Sequence, residues 1–137
     1  MTLRVPSPSE ATLLGYMLGK TAMEAFSLRL FSNNITPGET DVLAAYTEVS
    51  GSGYAAVSLT AANWVITPGD PTSAAYPQVT FSFTGAAGNV YGYHLVGVTS
   101  GLLLWAERFT DGPYNVAQAG DSIKVTPQIT FADTLDV

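Results

Sequence analysis

The chain has 137 residues, 47% of them hydrophobic, which is enough for one well-filled core and too short for two typical domains. Charged residues make up only 12%, the net charge is -6 and Lys+Arg number 5, so no basic surface can track phosphates or hold an anionic membrane. The absence of cysteine excludes disulfides, thiolate catalysis and Cys-based zinc sites. A charged fraction this far below the usual ~25% points to a protein that hides part of its outside against a sister subunit or another partner.

No apolar run reaches the roughly 18 to 20 residues that span a bilayer. Residues 11–19, ATLLGYMLG, have the hydropathy of a signal-peptide core. Pro6, Pro8 and Glu10 precede them with Arg4 as the only base, so the segment reads as part of the folded chain. Two regions are expected: residues 1–24, an arm and a short helix, and residues 25–137, one β domain. In the first, Pro6 and Pro8 keep the arm extended. Ser9 suits a side-chain helix cap, and Glu10 suits the positive end of the helix dipole. Leu13, Leu14, Met17 and Leu18 fall on one face by i, i+3, i+4 spacing. Gly15 and Gly19 weaken the helix, so packing has to hold it.

From Phe26 the period becomes two. Phe26, Leu28 and Leu30 alternate with Ser27 and Arg29, as in a half-buried strand. Asn33-Asn34 and Pro37-Gly38 break it with turn chemistry. Residues 41–49 fit either one helical turn or a strand, with the strand favoured, and short strands follow at 54–60 and 63–67. Val79, Phe81 and Phe83 alternate with Thr80, Ser82 and Thr84. The GAAGN loop at 85–89 then predicts a hairpin into a strand over 90–98. A further strand covers 102–109. In the last, Ile123, Val125, Ile129 and Phe131 share a face, and Pro127 inside it predicts an edge position or a bulge. The sum is roughly eight short strands with turns every 8 to 12 residues, the pattern of an all-β antiparallel sandwich or barrel. The predicted core is Phe26, Leu28, Leu30, Val79, Phe81, Phe83, Ile123, Val125, Ile129 and Phe131.

No catalytic set is apparent. The chain has one histidine, His94, expected on a strand face with Val90 and Val96 and opposite Tyr91, Tyr93 and Leu95. No motif supplies it with a nucleophile or an orienting group. Asp41, Asp70, Asp111 and Asp121 are scattered beside turns, where a carboxylate serves local backbone N–H groups. No metal or cofactor is therefore expected. Glu48 and Glu107 on candidate strands, with Trp64 and Trp105 as stacking rings, leave carbohydrate binding as the alternative. Asn34-Ile35-Thr36 fits the glycosylation triplet, a motif short enough to arise by chance.

Five segments taken together, LRLFSNNITP (28–37), GYAAVSLTAANW (53–64), YPQVTFSFTGAAGNVYGYHL (76–95), LLLWAERF (102–109) and GDSIKVTPQITF (120–131), resemble the capsid decoration, or cement, proteins of tailed bacteriophages. The resemblance runs from Leu28 onward and rests on the pattern of aromatic and turn residues. It implies a jelly-roll-like β-sandwich, a non-enzymatic structural role and a place on the virion exterior after synthesis in the host cytoplasm. It also implies the major capsid protein as partner and a symmetric dimer or trimer. The candidate contact residues are Leu13, Leu14, Met17 and Leu18 of the helix and Asn33, Asn34 and Pro37 of the following loop. Residues 67–76, rich in Pro and Gly, are a further contact loop. A carbohydrate-binding module of a tail or fibre, or a tail or connector component, would fit the same composition.

Overall fold

The structure, a computed structural model, describes residues 5–131. It is mostly β, with one α-helix, and all of its strand pairings are antiparallel. Helix α1 spans Ser7–Met17. The strands in chain order are β1 (Phe26–Phe31), β2 (Val57–Leu59), β3 (Val65–Thr67), β4 (Thr72–Ala75), β5 (Val79–Ser82), β6 (Gly88–Val90), β7 (Gly92–Gly97), β8 (Leu103–Arg108), β9 (Tyr114–Val116), β10 (Ser122–Val125) and β11 (Gln128–Phe131). One sheet has the order β2-β1-β7-β8. Three smaller ones have the orders β11-β4-β3, β10-β5 and β6-β9.

A single main core joins them. Leu28 and Leu30 of β1, Tyr93 and Leu95 of β7 and Trp105 of β8 meet Phe81 of β5, Val90 of β6, Val116 of β9 and Ile123 and Val125 of β10. Phe26, Val79 and Ile129 pack at its margin, half-buried. A second cluster lies on the other face of the four-stranded sheet, where Phe31, Leu103 and Ala106 are covered by Tyr46. That sheet is therefore buried on both sides, and β1 is not the half-exposed strand that its alternation suggests. Gly92, paired with Phe31, shows how tight the second face is. A Cβ there would sit 2.5 Å from the Phe31 ring, so only glycine leaves the ring its place.

Several expectations need correction. Residues 41–49 do not form a strand. They hold a short 3-10 turn at Leu43–Ala45 and one bridge, Phe31 to Glu48, because the segment is needed as a lid over the second cluster. The hairpin predicted across 85–89 does not form. Strand β5 pairs with β10, β6 with β9, and β7 with β1 and β8. Alternation identifies a strand but not its neighbour, and here Ala87 bonds Val116 and Thr84 bonds Ser52 instead of doubling back. The break at Tyr91 also shifts the alternation, so Val90 joins the main core with Tyr93 and Leu95 while His94 faces Phe31 and Tyr46. A register shift between Leu95 and Val96 likewise lets the neighbours Leu104 and Trp105 both reach the main core, as a bulge permits.

The last predicted strand is two. Pro127 is buried and cannot donate to a ladder, and the chain changes sheets there, from β10 to β11. Phe131 consequently leaves the core and is 73% exposed. The loop expected at 67–76 contains β4, held between β3 and β11.

Phe81 is buried and stacked on Tyr54 at 5.8 Å between ring centroids. Phe81→Ala is expected to cost ~3 to 5 kcal/mol, read as a fall in the urea midpoint without loss of the β-type circular dichroism spectrum.

Candidate functional site

Helix α1 begins at Ser7 with Pro6 as its N-cap and Pro8 in the first turn, where proline's fixed φ is already helical. No side chain caps it. The Ser7 N–H bonds the Glu39 carbonyl at 2.7 Å. Ser9, expected as the cap, lies inside the helix, buried, and its hydroxyl donates to the Leu103 carbonyl of β8. That bond fixes the helix to the four-stranded sheet. Gly19 ends the helix at φ +68. The Lys20 N–H returns to the Gly15 carbonyl and the Gly19 N–H to that of Tyr16, a Schellman closure that needs a left-handed residue.

The exit from the helix is held by Glu24. Its carboxylate accepts from the Tyr16 hydroxyl at 2.6 Å and from the backbone N–H groups of Thr99 and Ser100 at 2.6 and 2.9 Å. Burial would raise its pKa, but the bonds from Ser100, Tyr16 and Thr99 outweigh this and bring it down to about 2. Burial and the same contact push Tyr16 up to about 12.

With the helix so placed, its apolar face points outward. Leu14 is 56%, Met17 75% and Leu18 69% exposed, and Met23 beyond the helix is 65% exposed. Leu13 and Met17 instead line a groove of about 870 Å³ that runs from the helix past Trp105 and Glu107 of β8 to Gln128–Phe131 of β11. The predicted helical face thus remains together as one surface, and Phe131 extends it. Glu107 is the one carboxylate along the groove, and no lysine or arginine lines it among the described residues. Its oxygen accepts from the Tyr93 hydroxyl.

The loop candidates separate from this surface. Asn33 serves the lid internally, donating to the Ala45 carbonyl and accepting from the Thr47 N–H, each at 2.8 Å. Pro37 is buried and Asn34 is exposed. Asp41 and Asp121 satisfy backbone N–H groups of their own turns, at Gly38 and at Ala117 and Gln118. Asp111 takes the Tyr114 hydroxyl instead. A second exposed apolar pair, Val65 and Ile66, lies on the edge strand β3.

His94 is fully buried and stacked on Tyr46 at 5.4 Å. Neither ring nitrogen has a hydrogen-bond partner among the described residues. Burial, and secondarily the Arg29 charge, push its pKa down to about 4, so it is a neutral packing residue at neutral pH. Arg29 itself pairs with Glu48 at 3.0 Å, and Glu48 also accepts from the Tyr54 hydroxyl. Glu48 and Glu107 therefore belong to separate hydrogen-bonding groups. Trp105 is 2% exposed, and Trp64 packs edge-on against both Tyr76 and Trp105, which leaves no open pair of indole faces for a sugar. No group of three or more His, Asp or Glu side chains suited to a metal ion occurs among the described residues, and no described helix is long and apolar enough to cross a membrane.

Comparison with protein-family models, curated proteins and solved structures finds no match for this chain.

The His94 environment sets a pH dependence. The unfolded chain binds a proton near the ordinary 6.5 while the folded chain resists it down to about 4. Stability from neutral His94 is therefore complete above 6.5 and is lost as pH falls toward 4, by roughly 3 kcal/mol. Urea midpoints are expected to drop between pH 7 and pH 5, and a His94→Leu variant is expected to be flat over that range.

Proposed function

We propose that this protein is a non-enzymatic structural protein that docks on a larger protein assembly. On the resemblance of its sequence, that assembly is the head shell of a tailed bacteriophage, with the major capsid protein as partner. The observation that carries the reading is the exposed apolar set Leu14, Met17, Leu18, Met23 and Phe131, all more than half exposed, of which Met17, Met23 and Phe131 line one groove. Single exposed apolar side chains are common, but a contiguous set marks an interaction surface. The charge-poor composition supports the same reading. In this reading the facing sheets form a jelly-roll-like sandwich, and closed symmetry favours a dimer or trimer placed on a matching axis of the shell.

The mechanism is thermodynamic. A protein that binds the assembled shell and not its free subunits stabilises the shell by mass action, by ~2.7 kcal/mol per site at a hundredfold excess over Kd. Where one copy touches two shell subunits, a departing subunit has to break that contact as well. The net charge of -6 suits a basic shell exterior and would speed docking more than it deepens affinity.

Particles stripped of the protein and particles carrying it are to be heated in parallel, and the stripped ones are expected to release their contents at lower temperature. Met17→Lys and Leu18→Lys, both at exposed positions at the helix C-terminus where a cation suits the dipole, are expected to change the stability of the free protein by no more than about 0.5 kcal/mol. The same variants are expected to lose particle binding in co-sedimentation. Equal heat resistance with and without the protein would refute the cement reading.

A further inference from the structure

The groove beside α1 is bounded by two strand edges. Strand β8 closes one end of the four-stranded sheet and β11 one end of the β11-β4-β3 sheet, so among the described residues each has a hydrogen-bonded neighbour on one side only. On β11 the direction of the free groups follows from the ladder. The Tyr76 N–H bonds the Pro127 carbonyl, and the register pairs Gln128 with Ala75, Ile129 with Ala74 and Thr130 with Ser73. Hydrogen-bonded and non-bonded pairs alternate in an antiparallel ladder. Ile129 and Phe131 therefore bond toward β4, and the N–H and C=O groups of Gln128 and Thr130 point away from it. Both of these residues line the groove.

We infer that the groove is a receptor for one extended strand from another polypeptide, apolar at alternate residues and carrying a lysine or arginine opposite Glu107. A strand laid along β11 pairs with the free groups of Gln128 and Thr130 and sends every second side chain toward Met17, Trp105 and Ile129. A helix would satisfy its own backbone and leave those groups unpaired. The cation follows from Glu107, which lines the groove with no positive partner among the described lining residues. The same charge argument disfavours a second copy of this chain, in which Asp+Glu number 11 against 5 Lys+Arg, so that two bodies of like charge would have to meet. The inference goes beyond the capsid reading, since it specifies the chemistry of the bound strand whatever protein supplies it.

The test needs no particle, so its outcome is separate from that of the heating experiment. A labelled, end-blocked peptide alternating valine and serine, with one central lysine, is titrated against the intact protein by fluorescence anisotropy. A matched peptide carries glutamate instead. The lysine peptide is expected to bind roughly tenfold more tightly than the glutamate peptide, and Glu107→Lys is expected to reverse the order. Thr130→Pro removes a donor that faces away from β4, a position where an edge strand tolerates proline. It is expected to keep the melting temperature and to weaken the lysine peptide roughly fivefold. Hydrogen exchange at the Gln128 and Thr130 amides is expected to slow when that peptide is added. Equal affinity of the two peptides, no binding to the unaltered protein, or unchanged exchange at those amides overturns the inference. Self-association that Thr130→Pro abolishes would overturn it in favour of a second copy.

Discussion

Strand β7 is buried along its whole length, and the rest of the molecule is arranged to make that possible. It is paired on both sides, to β1 and β8, and covered on both faces. A strand so placed exposes none of its backbone to water, so every N–H and C=O needs a protein partner. One face is covered by the main core, drawn from β5, β6, β9 and β10. The other has no sheet to cover it. There the chain uses residues 33–46 as a lid, with Tyr46 over Phe31 and His94 and Asn33 holding the lid in shape. A histidine in that place has two ring nitrogens without partners among the described residues, and burial favours its neutral form.

The few charged residues are used as fasteners more than as surface. Glu24 ties the end of the helical segment to the turn after β7. Arg29 and Glu48 join β1 to the segment after the lid, and Asp41 receives the Tyr46 hydroxyl at 2.7 Å. Arg108 reaches the Ile35 carbonyl and lies over the Tyr91 ring. The Glu24, Arg29 and Arg108 bonds cross between segments distant in the chain, while the Asp41–Tyr46 bond closes the lid on itself. What this leaves for the outside is a polar surface with little charge, interrupted by the β3 pair Val65 and Ile66 and, more extensively, by the apolar face of α1.

That face exists because α1 is attached edgewise. Ser9 fixes the helix to β8 through a single side chain, and the Leu14–Leu18 side of the helix turns outward. The neighbouring sheet does not close the gap, since Pro127 sends the chain out of the β10 ladder and into β11, whose outer edge is unpaired among the described residues. Groove, exposed helix face and Phe131 are thus consequences of two local devices, a buried serine and a proline at a sheet change. Surface left uncovered in this way is available to stabilise a complex, which is what the proposed docking role uses.

Local pattern was enough to identify the all-β class, a short helix within residues 1–24 and part of the main core, namely Leu28, Leu30, Phe81, Phe83, Ile123 and Val125, because period and turn chemistry act within a few residues. The apolar set Leu13, Leu14, Met17 and Leu18 could be read from spacing alone. What spacing could not say was which way that set would face, since an amphipathic helix looks the same docked or exposed. Strand partners were equally out of reach. The alternation of Val79–Phe83 is the same whether β5 pairs with β7 or with β10, and the choice depends on contacts between residues about forty apart in the chain. His94 and Phe31 were placed by the lid, a segment whose own sequence resembles a strand. Phe131 was placed by Pro127, where the sequence marked a break but only the tertiary structure decided that the chain would leave one sheet for another and open a groove beside it.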